Sequence, residues 1–350
     1  MNRFKTSVQL SSCAFLAILF LGSCSKSSLP YTQDGNWISR SSFNGPNRSE
    51  AIAFVVGDFA YVATGIDQNF KRYNDLWQYD PTNDNWLQLA SLPDSNRNGG
   101  GTVRNSGVGF TVNNLGYIGT GYDGYNPMND FWQYDPSSNE WKQIADFAGG
   151  ARYDAVAFGI QNFGYVSTGY DGSNGQKDFW QYDPTSDTWT QKVSMGGTKR
   201  QGAVAFVYKD QGFIVTGINS GSVVTDFWRF DPSQPEASSW HQLAQIVNAS
   251  TESFDDGYTT IVRTNGAAFV IGDSAYISTG NNGSLYTYTW GYDFATDRWK
   301  EKTPFEGAAR EGAVGFTVQG RGYIGLGKSS TAVFDDLREF KPYEVYNAND

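Results

Sequence analysis

The fold of this 350-residue chain can be read from residues 152–189, RYDAVAFGIQNFGYVSTGYDGSNGQKDFWQYDPTSDTW. The same arrangement occurs six times, and each copy begins at an arginine: Arg48, Arg104, Arg152, Arg200, Arg263 and Arg310. Six positions later each copy has a phenylalanine: Phe54, Phe110, Phe158, Phe206, Phe269 and Phe316. Seventeen positions after the arginine each copy has a glycine, which follows threonine in five of them: Gly65, Gly121, Gly169, Gly217, Gly280 and Gly327. Agreement at fixed offsets in six copies indicates an internal repeat of about 50 residues.

Each repeat predicts four short β-strands. The first strand, for example AVAFVY at residues 203–208, is apolar at nearly every position, as expected of a strand buried on both faces. A two-residue turn such as Gly57-Asp58 leads to a second strand, which ends at the threonine–glycine pair. The third strand, FWQYD at residues 179–183, ends at an Asp-Pro turn because proline cannot continue a β-ladder. Six such repeats predict an all-β, six-bladed β-propeller of four-stranded antiparallel blades.

The fourth strand of a repeat carries a tryptophan in five of the six copies: Trp86, Trp141, Trp189, Trp240 and Trp299. The sixth copy has no tryptophan after Pro342, whereas Trp37 lies ahead of the first copy and belongs to no repeat. We therefore expect residues 36–43 to pair as the fourth strand of the last blade, so that an N-terminal strand closes the ring. An unclosed ring would leave an exposed sheet edge.

The YDP…W half of the repeat resembles the kelch repeat family, although kelch repeats usually carry Gly-Gly where this chain has Thr-Gly. The resemblance covers roughly residues 37–342, and we place the propeller domain at residues 37–345. It implies the six-bladed propeller fold. It implies little about activity, because kelch propellers include an oxidase, a sugar epimerase and many binding scaffolds.

The N-terminal residues are typical of a bacterial lipoprotein signal. Arg3 and Lys5 precede AFLAILFL at residues 14–21, an apolar run too short to span a bilayer. The sequence LGSC at residues 21–24 resembles a lipobox, which implies cleavage after residue 23 and lipidation of Cys24. An ordinary secretory signal with Cys24 near its cleavage site is the alternative.

These features predict a signal peptide at residues 1–23, a lipid-proximal tether at residues 24–36 and export through the inner membrane. Ser25, rather than aspartate, follows Cys24, which favours anchoring at the outer membrane. The lipid is expected to be the only contact with the membrane, because several acyl chains on one residue anchor a protein firmly.

Composition excludes several classes of function. Loss of Arg3 and Lys5 with the signal leaves 24 basic against 36 acidic residues, a net charge of −12, which argues against a nucleic-acid partner. The only cysteines are Cys13 and Cys24, and His241 is the only histidine. The kelch oxidase implied by the resemblance needs a Cys–Tyr crosslink and two histidines on copper, so that chemistry is ruled out. We expect no metal site and no cofactor.

The repeat arginines are the first candidates for ligand contacts, because the kelch resemblance places them on one face around the central channel. Five repeats have an aspartate just before the third strand: Asp75, Asp130, Asp178, Asp226 and Asp336. We expect most of these residues to form structural, blade-to-blade ion pairs. The fifth repeat has Tyr288 instead, so Arg263 is expected to lack a partner. An unpaired guanidinium suits a carboxylate, and we expect Arg263 and the neighbouring Arg310 to bind an anionic ligand.

Two other departures from the repeat bear on the site. Tyr122 and Tyr170 follow the repeat glycines of adjacent units, and are suited to stacking on a sugar or a peptide. The longest spacing between repeat arginines contains the loop at residues 247–260. This loop carries three acids: Glu252, Asp255 and Asp256. As an alternative to ligand binding, one of these acids folds back and neutralises Arg263, and the arginine ring is then wholly structural.

The function expected from these observations is a non-catalytic binding scaffold for a protein or glycan ligand at the cell envelope. No catalytic residue is assigned. The first alternative is a carbohydrate-active enzyme resembling a sialic acid epimerase or mutarotase, which would need a carboxylate without a repeat counterpart. Glu252 and Asp256 are the candidates for that carboxylate. A structural subunit of an outer-membrane assembly is a further alternative.

Overall fold

Six antiparallel sheets of four strands each follow one another around a ring, which makes the protein a six-bladed β-propeller. The computed structural model describes residue 1, residues 34–93 and residues 102–350. The expected signal peptide, the lipidation site at Cys24 and most of the tether lie outside the described residues.

The strands are numbered in chain order, and β1 (Asp34–Arg40) belongs to the last blade. Blade one contains β2 (Ile52–Val56), β3 (Phe59–Ala63), β4 (Leu76–Asp80) and β5 (Asn85–Leu89). Blade two contains β6 (Val108–Val112), β7 (Leu115–Gly119), β8 (Phe131–Asp135) and β9 (Glu140–Ile144). Blade three contains β10 (Tyr153–Ile160), β11 (Phe163–Tyr170), β12 (Phe179–Asp183) and β13 (Thr188–Lys192).

Blade four has an additional two-stranded hairpin. It contains β14 (Val204–Tyr208), β15 (Gln211–Val215), the hairpin β16 (Ile218–Asn219) and β17 (Ser222–Val223), then β18 (Phe227–Phe230) and β19 (Trp240–Gln242). Blade five contains β20 (Ala267–Ile271), β21 (Ser274–Ser278), β22 (Thr289–Asp293) and β23 (Arg298–Lys302). Blade six contains β24 (Val314–Val318), β25 (Arg321–Gly325) and β26 (Leu337–Val345), which pairs with β1. Short 3-10 turns lie at Glu236–Ser238, Ser253–Asp255 and Tyr258–Thr260.

The hydrophobic core lies between neighbouring blades. The repeat phenylalanine of the first strand stacks on the tyrosine of the second strand, as Phe54 does on Tyr61 with ring centroids 5.1 Å apart. The same blade face packs against the next blade, where Tyr61 contacts Tyr134. In β2, Ile52, Phe54 and Val56 are buried, whereas Ala53 and Val55 are half-buried. The first strand is therefore covered fully on one face and only partly on the other, which is less than its continuous apolar sequence predicts.

The predicted closure of the ring by an N-terminal strand is confirmed. Strand β1 pairs with β26, and Trp37 lies opposite Phe340. Trp86 of blade one lies opposite Tyr79 in the same way. Trp37 is fully buried, and its indole N–H donates to the carbonyl of Thr303 in blade five at 3.1 Å. The strand covers residues 34–40 rather than the expected 36–43.

A ring of backbone hydrogen bonds links the blades through the repeat glycines. The Gly65 N–H donates to the carbonyl of Arg104, the next repeat arginine, at 2.8 Å. The corresponding bond occurs at all six junctions, including Gly327 to Arg48 across the closure. All six glycines have φ between 91° and 103°, where residues with a Cβ are strained. A Cβ on Gly65 would also lie 2.9 Å from the carbonyl oxygen of Ser49. This geometry explains why every repeat has glycine here.

Candidate functional site

Five of the six repeat arginines form buried ion pairs inside their own blades. Arg104 and Asp130 of blade two are joined by two hydrogen bonds of 3.0 and 2.7 Å. The other pairs are Arg48–Asp75, Arg152–Asp178, Arg200–Asp226 and Arg310–Asp336. The expectation that these ion pairs join neighbouring blades is therefore wrong, because each carboxylate comes from the residue just before the third strand of the same blade. The blades are instead linked through the arginine carbonyls.

Arg263 has no acidic partner among the described residues, as its repeat predicts, but it is not available to a ligand. The side chain is fully buried. Its N–H groups donate, at 2.7 to 2.9 Å, to four backbone carbonyls: Thr260, Ile261, Thr279 and Tyr288. Burial lowers the pKa of Arg263 to about 9. The guanidinium is thus held by carbonyl dipoles, and the structure does not present it to the channel.

Arg310 is also placed inside its blade. Its guanidinium donates to Asp336 and lies between the rings of Phe305 and Phe334, 4.8 and 4.0 Å from their centroids. Only 1% of Arg310 is exposed. The arginines expected to bind an anion are therefore not surface groups in this structure.

The acidic loop at residues 247–260 neither neutralises Arg263 nor lines the channel. Asp255 accepts hydrogen bonds from the Ala249 and Ser250 backbone N–H groups at 2.9 and 2.8 Å, and so caps its own loop. Tyr258 fastens the loop to the outer strand of blade five, where it accepts a hydrogen bond from the Trp299 N–H at 2.8 Å. Glu252 and Asp256 consequently lie on the blade rather than in a deep central pocket.

A second backbone ring surrounds the channel mouth. We define the channel mouth by the residue two positions after each repeat arginine: Glu50, Ser106, Asp154, Gly202, Asn265 and Gly312. Each N–H donates to the carbonyl of the preceding member, from Glu50 to Gly312 and onward around a closed circle, at 2.7 to 3.1 Å. The backbone is therefore the same at six positions, while the side chains differ. At the channel mouth the six repeats therefore differ in their side chains but share one backbone conformation.

The two carboxylates of the channel mouth are in different environments. Glu50 accepts hydrogen bonds from Lys328 at 2.5 Å, from Asn105 at 2.5 Å and from Ser106 at 3.0 Å. Burial alone would raise the pKa of Glu50, but the charge of Lys328 and these hydrogen bonds lower it. Glu50 is therefore an ionised and fully engaged carboxylate.

Asp154 makes no ion pair within the described part of the chain; the Ser106 hydroxyl, which donates to Glu50, lies close to its carboxyl group. Burial and the negative charge of Glu50 raise the pKa of Asp154 to about 7. Its carboxyl group can therefore gain or lose a proton near neutral pH. Sequence reasoning missed both Glu50 and Asp154. A signal was present in the sequence: the residue two positions after the repeat arginine differs between repeats, and only glycine occurs there twice, although nearby positions are the same in every repeat.

Tyr122 and Tyr170 are brought into one aromatic surface by a tyrosine between them. Tyr153 lies 5.3 Å from Tyr122 and 5.6 Å from Tyr170, measured between ring centroids. We call Tyr122, Tyr153 and Tyr170 the tyrosine wall; all three are half-buried. Arg72 lies over the Tyr122 ring at 5.3 Å and donates to Asn105, which in turn binds Glu50. The tyrosine wall is thus continuous with the channel mouth.

A cavity of about 630 Å³ opens beside Tyr170, between blades three and four. We call it the Tyr170 cavity. Its polar lining includes Ser173, Asn174, Lys199, Gln201 and Asn219. Lys199 is exposed and has no hydrogen bond or ion pair to residues 34–93 or 102–350. The channel itself holds a narrower cavity of about 220 Å³, lined mainly by alanine, glycine and valine of the six inner strands.

The described residues contain no group of three or more His, Cys, Asp or Glu side chains that could hold a metal ion. His241 lies on the outer strand β19, opposite Arg229. Within the same part of the chain, no helix is long and apolar enough to cross a membrane.

Comparison with known proteins agrees with this architecture. Residues 121–148 and 165–196 match the kelch motif. The solved structure of YjhT has a similar fold, with a TM-score of 0.68 and 16% sequence identity over 85% of this chain and 95% of that chain. No protein of curated function matches the sequence. Because 751 chains of solved structures match this fold, the fold alone does not specify an activity.

Proposed function

Since the chain is a kelch-repeat propeller whose repeat is broken at the channel mouth, we propose that it is a non-catalytic glycan receptor. The ligand lies on the tyrosine wall and enters the Tyr170 cavity. The observation that carries this proposal is the position of the wall, which borders a cavity lined mostly by amides and hydroxyls. A protein ligand, also expected from the sequence, is separated from a glycan by the binding test described below.

The chemistry of the cavity suits a sugar. Its volume falls within the roughly 300–1,000 Å³ of small-molecule sites. Aromatic faces such as that of Tyr170 stack on the C–H faces of a sugar ring, while Asn174, Gln201 and Asn219 can donate to and accept from its hydroxyls. Glu50 lies at the channel mouth, but it already binds Lys328, so the ligand does not need to carry a positive charge.

In this proposal, lipidation of Cys24 anchors the protein at the membrane. The lipobox-like sequence at residues 21–24 supports a lipid anchor, with the tether holding the propeller near the outer membrane. Wild-type protein should partition into detergent and carry an acyl label, whereas Cys24→Ser should release it or stall its processing. A mature N-terminus elsewhere than Cys24 would contradict the anchor without affecting the glycan site.

The glycan site is tested by a glycan array followed by calorimetric titration of the sugars that bind. Tyr170→Ala should weaken binding at least tenfold, because it removes the stacking face of the cavity. Tyr343→Ala is the matched control, since Tyr343 is 85% exposed near the end of β26 in blade six, away from the site. Equal loss in both variants, or no sugar bound by the wild type while a pull-down captures a protein, would overturn the glycan proposal.

A second candidate function, sugar mutarotation, is favoured by one observation: Asp154 is an unpaired carboxyl group with a pKa raised to about 7. A protonated carboxyl can give its proton to the ring oxygen of a sugar while its other oxygen takes the proton of the anomeric hydroxyl. The ring C–O bond then opens, and the proton count of the carboxyl is unchanged. Closure on the other face of the carbonyl gives the second anomer.

This enzymatic alternative is tested by polarimetry or by NMR exchange between anomers. Asp154→Asn should abolish any catalysed exchange and leave binding largely intact. Glu252→Gln is the control, because Glu252 was the candidate carboxylate from the sequence and lies on the blade-five loop. Catalysis lost with Glu252→Gln and kept with Asp154→Asn would refute this assignment.

A further inference from the structure

A second cavity of about 460 Å³ lies on the other side of the β16–β17 hairpin of blade four. We call it the Trp228 cavity. Its lining includes Thr198, Thr225, Trp228, Gln242 and Gln245. Asn219, on the hairpin, lines both this cavity and the Tyr170 cavity. The two cavities are therefore neighbouring spaces separated by one narrow hairpin.

Beside the Trp228 cavity, blade four has smaller residues over its arginine than blade one has. In blades one and three, Phe43 and Phe147 lie 4.9 Å from the guanidinium of the repeat arginine. Met195 occupies this position in blade four. A second ring covers the arginine of blade one, where Tyr73 lies 4.4 Å from Arg48, but the corresponding residue of blade four is Val224. Loss of both rings leaves space beside the Arg200–Asp226 pair.

The hydrogen bonding of Trp228 also departs from the repeat. In blades one, two and three the indole N–H of the third strand donates to the aspartate two residues before it, as Trp180 does to Asp178 at 2.7 Å. In blade four the Trp228 indole N–H has no acceptor among residues 34–93 and 102–350. A buried donor without an acceptor is costly. The Gly197 backbone lies against this N–H, since a Cβ built on Gly197 would lie 2.4 Å from the indole nitrogen.

From these observations we propose that the ligand is an oligosaccharide that crosses the hairpin at Asn219 and occupies both cavities. This inference rests on the proposed glycan function and adds the class of ligand. Each cavity has one aromatic side chain, Tyr170 or Trp228, together with amide groups that match sugar hydroxyls. Each also falls within the range of a small-molecule site on its own, so a single sugar leaves one of them empty.

The charges of the two cavities indicate a neutral or acidic chain. Asp226 is the acid that lines the Trp228 cavity, and it is already paired with Arg200. The unpaired charge in the Tyr170 cavity is the cation Lys199. A polycationic chain would therefore meet no free carboxylate in either cavity and would be repelled by Lys199.

The test is a length series of cello-, xylo-, malto- and chito-oligosaccharides from one to six units, titrated against the full-length protein. Affinity for the preferred series should rise at least tenfold between one and four units. Trp228→Ala should reduce binding of the long members to that of the short ones, whereas Tyr170→Ala should weaken every length. Gln245→Ala is a second, exposed substitution that leaves the fold intact and should reduce only long-chain binding.

Equal affinity at all lengths, with Tyr170→Ala still damaging, would overturn this inference and keep the proposed glycan function. Absence of binding by every series and by the glycan array would overturn both. Loss of short-chain binding in Gln245→Ala would also overturn this inference, because Gln245 lines the Trp228 cavity and not the Tyr170 cavity.

Discussion

Glu339 offers a quantitative test of how the ring is closed. Its carboxylate is fully buried at the centre of the last blade and is paired with Arg40 of the closing strand β1, with Arg321 and with Lys341. Burial alone would raise the pKa of Glu339, but the hydrogen bonds from Arg321 and Lys341 and the charge of Arg40 lower it to about 2. The folded state therefore favours the ionised form strongly.

The magnitude follows from the difference between this pKa and the usual 4.5 of glutamate. One pKa unit corresponds to about 1.4 kcal/mol, so ionised Glu339 contributes about 3 kcal/mol to the free energy of unfolding. Because the folded pKa is depressed, this contribution is complete above about pH 4.5. It is lost as the pH falls from there toward 2. Glu339→Gln should therefore cost about 3 kcal/mol at pH 7 and progressively less between pH 4.5 and 3.

The assay is urea unfolding followed by tryptophan fluorescence at pH 7, 5, 4 and 3. Glutamine is the natural replacement, because the same position in blades one and three is Gln78 or Gln181, which binds the tyrosine opposite. Glu140→Gln, at an exposed position of β9, is the matched control and should change stability little at any pH. A deficit of Glu339→Gln that stays the same from pH 7 to pH 3 would refute the electrostatic reasoning.

Three further outcomes are expected. Trp37→Ala should lower stability by about 3–5 kcal/mol, because it removes a fully buried ring that closes the propeller; unchanged urea unfolding would contradict that role. Arg263→Ala and Arg152→Ala should both destabilise the fold by about 3 kcal/mol or more, since each leaves buried acceptors unpaired. If the Arg263→Ala protein were as stable as the wild type but no longer bound the ligand, Arg263 would have to be assigned as a binding residue after all. The pKa of Asp154 is raised from 3.8 to about 7, so the fold loses stability as the pH rises between these two values, and the loss is complete above about pH 7. Asp154→Asn should therefore raise the melting temperature more at pH 8 than at pH 5, as thermal scans can measure.

The fold could be predicted because its determinants are local and repeated. Strand pairing follows from the apolar first strand, the glycine turn and the Asp-Pro stop, and each of these is visible in a single repeat. Even the long-range contact of Trp37 with the last blade follows by counting tryptophans. The boundary of β1 was misplaced because Phe43 lies outside the strand, although it is buried like a core residue.

The site was predicted less well, for physical reasons. The missing aspartate of blade five is visible in the sequence, but the backbone carbonyls that bind Arg263 in its place have no sequence signature. Tyr122 and Tyr170 were found because they follow the repeat glycine. Asp154 was overlooked because its proton affinity depends on burial and on Glu50, which is distant in the chain. Ligand binding by the tyrosine wall stays a prediction.

The closed hydrogen-bond circle at the channel mouth has a consequence for how this protein can acquire new specificity. All six of its residues have φ between 52° and 62°, in the left-handed region. Glycine, asparagine and aspartate occupy that region readily, whereas β-branched residues are strained there. Four of the six positions hold one of these three residue types: Asp154, Gly202, Asn265 and Gly312. Mutation can therefore change which polar groups line the channel mouth without moving a blade, and the remaining two positions, Glu50 and Ser106, show that a longer acid and a hydroxyl also fit this backbone. Evolution at this mouth can thus exchange acid, amide, hydroxyl and glycine on one fixed backbone.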